Sequence, residues 1–250
     1  MKTLISVCVL FLIVTGEIMA QTVSVQPYFG YSTVRMSEAN NDMVVRVNQL
    51  RRFSQQFIPS PDPLNGNYTW GVGVTYRFED DYFATVKTLY FSEKTGKDYR
   101  RTAVDYPLDF HFDRDIRFFD FTIGLQYFFN YSSWKRINYY LGAGAGLGLG
   151  WSRSNFTYQD NNPAINNIDS RGDFSGSAMT AHFALGLTLR VLPPVFLSAE
   201  GGYRFANLRQ LEGQLKLSGV LYPNYVTESS YDFSGFYITI GTGFILPIFE

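Results

Sequence analysis

Residues Asn138 to Ser152 read NYYLGAGAGLGLGWS, and this stretch decides the fold. At a period of two it splits into Tyr139, Leu141, Ala143, Ala145, Leu147, Leu149 and Trp151 on one side. Tyr140, Gly142, Gly144, Gly146, Gly148 and Gly150 fall on the other. A β-strand sends alternate side chains to opposite faces. One face is therefore continuously apolar and ends in aromatics, while the other is almost bare backbone. A helix would scatter the glycines around its circumference, at about 1 kcal/mol each relative to alanine. A soluble strand seldom runs beyond about ten residues. A membrane-spanning strand needs about 9–11, with lipid-facing positions alternating with lumen-facing ones. The stretch fits the last case. Its glycines share one parity, so the GxGxxG spacing of a dinucleotide loop does not occur.

The chain start reads as a removable address. Lys2 gives a positive beginning, Leu4 to Val14 is an apolar run too short to span a bilayer as a helix, and Ala20 is a small residue before Gln21. These features predict a secretory signal, residues 1–20, cleaved after Ala20. Cys8 follows valine rather than a small residue, so a lipid attachment site is rejected. Cleavage removes the single cysteine, leaving neither a disulfide nor a thiol nucleophile. The remainder, residues 21–250, is one domain's worth of chain. It is aromatic-rich (18%) and charge-poor (17%) with net charge −1, against about 25% charged residues in soluble proteins. Mean hydropathy is only −0.09, and no segment after the signal has 18 uninterrupted apolar residues, which excludes transmembrane helices. A β-barrel reconciles these values, because its per-strand signal is weak. The near-zero charge gives no support to a nucleic-acid partner.

The same alternation predicts eight strands: Thr22–Thr33, Tyr68–Glu79, Tyr82–Ser92, Arg114–Phe129, the Asn138–Ser152 stretch, Phe174–Val191, Val195–Ala206 and Tyr231–Phe249. Pro27 removes a ladder donor and predicts a local irregularity. In the third strand Lys87 sets the parity, pointing to the lumen. Connections alternate long and short, as in up-and-down barrels with short periplasmic turns and long outer loops. The first long connection carries Met43, Val47, Leu50, Ser54 and Phe57 at helical spacing, predicting a short amphipathic helix over Asp42–Phe57. The connections Glu93–Asp113, Asn155–Asp173 and Asn207–Ser230 are predicted to be loops. Two aromatic girdles are expected at the interfaces, Trp70, Tyr90 and Trp151 on the outer side and Tyr76, Phe78, Tyr82, Tyr139 and Phe249 on the inner.

On these features (signal peptide, eight alternating segments, loop asymmetry, and a last strand rich in aromatics and glycine) residues 21–250 resemble the small eight-stranded bacterial outer-membrane β-barrel superfamily, the architecture of OmpX and the OmpA transmembrane domain. The resemblance implies an all-β, antiparallel up-and-down transmembrane barrel. It implies an outer-membrane location, contact with outer-membrane lipid and lipopolysaccharide, and insertion by the barrel-assembly machinery. Family members usually end in phenylalanine; here Phe249 is followed by Glu250. No OmpA-type periplasmic domain is expected after the last strand.

Inward positions hold Arg77, Lys87, Asp120, Arg190, Glu200 and Arg204, together with His182. An eight-stranded barrel is just wide enough for side chains to fill it, and charges inside must pair or be solvated. A plug is expected, with Glu200 and Asp120 bridging the arginines and the glycine face of the fifth strand giving them room. For catalysis, His111 lies among carboxylates in His111-Phe112-Asp113-Arg114-Asp115 and has the makings of a general base. The His-x-Ser pair of the lipid-A deacylase family is missing, since serine is replaced by Asp113. Omptin-like proteases need ten strands. Two histidines and no cysteine leave no metal cluster. No cofactor is expected. Arg46, Arg51 and Arg52 in the first loop and Lys94, Lys97, Arg100 and Arg101 in the second are candidates for outer-leaflet phosphates, against a reading as solvated loop charge. The expected role is a non-enzymatic structural or surface-interaction one, with four displayed loops. The alternative is a narrow channel or carrier for small or apolar solutes. A lipid-modifying enzyme and a PorT-like secretion accessory stand behind these.

Overall fold

The computed structural model describes residues 21–54, 57–102, 108–129, 131–132, 136–160, 167–227 and 229–248. The expected signal segment, and Phe249 of the inner girdle, lie outside the described residues. Twelve strands are present among them: β1 (Gln21–Thr33), β2 (Gly66–Arg77), β3 (Tyr82–Arg101), β4 (Leu108–Phe128), β5 (Ile137–Asp160), β6 (Ile168–Leu192), β7 (Val195–Phe205), β8 (Asn207–Leu208), β9 (Glu212–Leu217), β10 (Val220–Val226), β11 (Tyr231–Asp232) and β12 (Gly235–Ile248). One helix, α1 (Ser37–Ser54), follows β1. Strands β1 to β7 pair in sequence order, all antiparallel, and β12 closes the ring between β7 and β1. The result is an eight-stranded up-and-down barrel. Pro27 leaves its mark: β1 pairs with β12 through Val25↔Phe244, resumes at Tyr28↔Gly241, and skips Gln26 and Pro27 between them.

Strand β4 shows how one sequence serves two solvents. Its pairing with β5 runs from Leu108↔Asp160 to Phe128↔Tyr140 without a register shift, so parity is preserved along its whole length. Its outward residues are Phe119, Phe121, Ile123, Leu125 and Tyr127 over the lower half, then Arg117, Asp115, Asp113, His111 and Asp109 above. Its inward residues change in the opposite sense, from Asp120, Thr122 and Gln126 below to Phe118, Ile116, Phe112, Phe110 and Leu108 above, with Arg114 the one charged residue among these upper positions, all buried. The lower half is apolar outside and polar inside, and the upper half is the reverse. Phe119 to Phe129 is eleven residues, within the span of about 9–11 that crosses a bilayer. The outward faces of β3, β5 and β6 turn polar at the same level, where Lys94, Arg153 and Asp173 adjoin Asp115, whereas their inward faces stay mixed, with Phe156 and Tyr158 on β5 but Glu93 and Lys97 on β3.

The lower band forms a continuous apolar belt. Phe183, Leu185, Phe236, Ile238 and Ile240 each leave 60% or more of their surface exposed. In water that would be an untenable patch; in hydrocarbon it is the required surface. The upper ten or so residues of β4 carry the wall roughly 30 Å beyond the belt at about 3.3 Å per residue.

This wall corrects two of the loop expectations. Glu93–Arg101 and Leu108–Asp113 are strand, as are Asn155–Asp160 and Ile168–Asp173. Their alternation continues past the membrane with its polarity exchanged, and for that reason a lipid-facing template stops short. The fourth long connection, Asn207–Ser230, also contains structure, a β9–β10 hairpin that adds to the outer edge of β6 at Ser170 to Ser175. Helix α1 starts five residues earlier than expected and ends at Ser54. Ala39, Met43, Val47 and Leu50 form its buried face, whereas Phe57 is 71% exposed and lies off the helix, under the Arg51 guanidinium.

Inside the upper wall lies the main hydrophobic core. Met36, Met43, Val47, Ile58 and Leu64 from the α1 connection meet Phe91, Phe110, Ile116 and Phe118 from the wall and Leu208, Leu211 and Phe233 from the last connection. The outer connections thus fold inward and cap the barrel.

Candidate functional site

The lumen is filled in three layers. At the periplasmic end Phe83, Phe128, Tyr131 and Tyr140 cluster, with ring centroids 4.5 Å apart for Phe83–Phe128 and 5.0 Å for Phe128–Tyr140. In the middle Glu200 on β7 receives three donors. Lys87 Nζ lies 2.5 Å from Oε2, Tyr140 Oη donates to Oε2 at 2.7 Å, and Tyr237 Oη donates to Oε1 at 3.0 Å. Asp120 accepts from the Thr180 hydroxyl at 2.7 Å. Above them Arg204, 1% exposed, donates Nε and Nη2 to the Phe233 carbonyl at 3.1 and 2.9 Å, and Nη2 to Ser32 Oγ at 3.1 Å. Its guanidinium also lies 4.9 Å from the Phe118 ring centroid. Phe118 stacks on Phe233 at 4.5 Å and begins the outer plug.

The glycine face of β5 is what makes this filling sterically feasible. A Cβ on Gly144 would come within 2.4 Å of the His182 ring, and one on Gly148 within 2.6 Å of Phe118. Each glycine is the room its neighbour occupies.

The structure changes the expected pairing. Neither carboxylate bridges an arginine: Glu200 takes Lys87 and two tyrosines, and Asp120 takes a threonine. Arg204 uses the Phe233 carbonyl, the Ser32 hydroxyl and the Phe118 ring face, and its buried Nη1 has no partner among the described residues. Arg77, the last residue of β2, sits at the inner rim. It pairs with Asp80 at 2.9 Å and lies over Tyr131 at 4.9 Å, away from the central network. Arg190 lines the lower cavity with Asn138 and Thr188. Tyr140 and Tyr237 carry the inward parity in the sequence, but parity alone does not mark them as partners of Glu200. Only the cross-lumen geometry shows that their hydroxyls reach Glu200.

Trp70 and Tyr90 face each other across β2 and β3 with centroids 5.2 Å apart, and Trp151 stands at the inversion level of β5. Tyr82 and Phe78 lie 6.4 Å apart at the other end, near outward-facing Tyr76 and Tyr139. Further aromatics stand at the outer ends, with Phe29 stacked on Tyr68 at 5.4 Å and Tyr203 against Phe236 at 4.9 Å.

His111 faces outward from β4 above the belt. It bonds Asp98 across the β3–β4 pair, with Asp113 at 3.4 Å. The hydrogen bond to Asp98 raises its pKa above the ordinary imidazole value, with the two negative charges adding to the effect and partial desolvation opposing it. The basic residues are mostly engaged in the head. Arg46 holds Asp42 at 3.0 Å, Arg51 binds the Ile58 carbonyl at 2.7 Å, and Lys94 lies 3.9 Å from Asp113. Lys97 and Arg101 share the inward parity of β3, and Arg100 the outward one; Arg52 is exposed.

No protein-family model matches the sequence, and no curated protein does. Among solved structures, OprG from Pseudomonas aeruginosa aligns at 13% identity over 93% of this chain and 99% of that one, with a TM-score of 0.46. Ail, the attachment invasion locus protein of Yersinia pestis, aligns at 13% identity over 91% and 100%, with a TM-score of 0.41. A major outer membrane protein from Thermus thermophilus aligns at 7% identity over 91% and 100%, with a TM-score of 0.43. The closed ring, the apolar belt and the charged, filled lumen of this chain define its class, an outer-membrane β-barrel. Its eight strands in up-and-down order give it the OmpX and OmpA type of architecture.

Two outcomes are expected. Glu200→Ala leaves the Lys87 ammonium buried without its carboxylate and should cost about 3–5 kcal/mol in urea titration of the barrel in lipid vesicles. Lys87→Met combined with Glu200→Gln should recover much of that loss, and an unchanged Glu200→Ala variant would remove the network from the account. His111 should titrate above the free imidazole value by NMR, and Asp98→Asn should bring it down. Because the folded pKa is raised, its stabilising contribution is present at low pH and fades as pH rises through that value.

Proposed function

We propose that this protein is a non-enzymatic, non-conducting barrel whose purpose is to hold a folded head at the cell surface. The observation that carries the reading is the filled lumen. The central polar layer leaves a void of about 30 Å³, room for a few waters. The lower cavity amounts to about 60 Å³, and the Phe118–Phe233 stack and α1 occupy the outer end. These features favour a structural or surface-interaction role over a narrow channel or carrier. They also change what is displayed. In place of four loose loops there is a β-walled head with an internal helix and an edge hairpin. His111 lies on the outer wall of the head, and the Asp98 and Asp113 carboxylates engage both its ring nitrogens rather than aim it at a substrate. Outer-membrane lipid is the proposed solvent of the belt, with lipopolysaccharide at its upper edge, and the barrel-assembly machinery is the proposed partner in insertion.

Planar-bilayer recording on the refolded protein tests this reading. No discrete conductance steps above the bare membrane are expected. Reproducible openings from the wild-type protein would move the assignment to the channel alternative.

A further inference from the structure

The head contains a partly open polar cavity that the plug account does not use. It has a volume of about 60 Å³ and lies between α1, the outer ends of β4, β5 and β6, the β9–β10 hairpin, and Thr227, Ser229 and Tyr231. Arg114 enters it from β4 and is only 4% exposed. Its Nη1 donates to the Ala39 carbonyl at 3.1 Å and its Nη2 to Asp42 Oδ2 at 3.2 Å, while its buried Nε has no partner. A guanidinium carries five N–H donors; this one also lies 5.7 Å from the Phe112 ring centroid, and its Nε remains available. Arg46 stands at the mouth, 48% exposed, and shares the same carboxylate through Asp42 Oδ1 at 3.0 Å. Among the described residues that line the cavity, two cations, Arg46 being half-exposed, face one anion. Ser154 and Ser170 add hydroxyls from the wall. Tyr231 Oη accepts from Ser152 at 3.2 Å and keeps its own proton to donate.

We infer that this cavity binds a small oxyanion, a carboxylate or a phosphate, taken from the extracellular solution. A buried cation is costly unless it is paired and hydrogen-bonded. Waters would satisfy the hydroxyls but leave the surplus positive charge. An oxyanion neutralises that charge, and the planar guanidinium fork is matched to carboxylate and phosphate oxygens. Converging hydroxyl donors complete such a site. The ligand is a solute rather than a lipid headgroup. Arg114 lies five residues above Phe119, at the top of the belt, and faces inward, so the β4–β6 wall separates it from the outer leaflet.

Isothermal titration of the folded barrel in detergent micelles, with inorganic phosphate and separately with acetate, tests the site against a sodium chloride control. Saturable binding of at least one of the two is expected, and which one binds tells whether a tetrahedral or a planar oxyanion fits. Arg114→Lys keeps the charge but loses the fork. Ser170→Val removes a wall hydroxyl without touching the anchors of α1. Each should weaken binding at least tenfold while the protein retains the gel-mobility difference between boiled and unboiled samples. If Arg114→Lys fails to fold, Ser170→Val decides. No saturable binding of either anion, or binding that Ser170→Val leaves unchanged, would overturn the proposal.

Discussion

A backbone N–H or C=O in hydrocarbon has no water to turn to, and leaving one unpaired costs several kcal/mol. That constraint forces the closure of β12 onto β1, on which the rest of the molecule depends. Once the ring is closed, the side chains of each strand are divided between a lipid face and a lumen. The diameter of eight strands leaves a lumen that side chains must fill. Belt, plug and head are then consequences of how each strand's two faces are composed.

The same register carries the strands out of the membrane. Along β4 nothing marks the crossing in the backbone, since its pairing with β5 runs unbroken. The crossing is written only in composition, where the outward series passes from Phe119 to Arg117 and the inward series from Asp120 to Phe118. Above that level the barrel has a polar outside and a largely apolar core interrupted by the Arg114 cavity, and α1 and the last connection supply the packing partners it needs. Below it, polar side chains meet inside and the glycines of β5 set the space available. The protein is therefore one barrel with two kinds of core.

The ring, its order, and the facing of residues such as Lys87, Asp120 and Glu200 were legible because period-two alternation is strong over the belt. Leu108–Asp113 and Ile168–Asp173 were passed over as loops although they alternate equally well, because the alternation there has charged residues outside. The face of α1 was readable from Met43, Val47 and Leu50, but its start was not. The partners of Glu200 were out of reach for a different reason. Lys87, Tyr140 and Tyr237 come from β3, β5 and β12, and which of them meet across the lumen depends on strand stagger and tilt, which no local pattern encodes. Arg114 was read as the first residue of a lipid-crossing strand, and its burial in the head follows only from the inverted upper wall.

The central claim is the inversion on β4, and cysteine scanning along that strand tests it most directly, since the only native cysteine is Cys8. Single cysteines at Asp109, Asp115, Phe119, Ile123, Phe110 and Phe118 would be treated in intact outer membranes with a membrane-impermeant maleimide. The expected result is labelling at Asp109 and Asp115, none at Phe119 and Ile123, and none at inward Phe110 and Phe118 until the barrel is unfolded. Labelling at Ile123 in the folded protein would contradict the belt. Labelling at Phe110 and Phe118 as readily as at Asp109 would contradict the filled head.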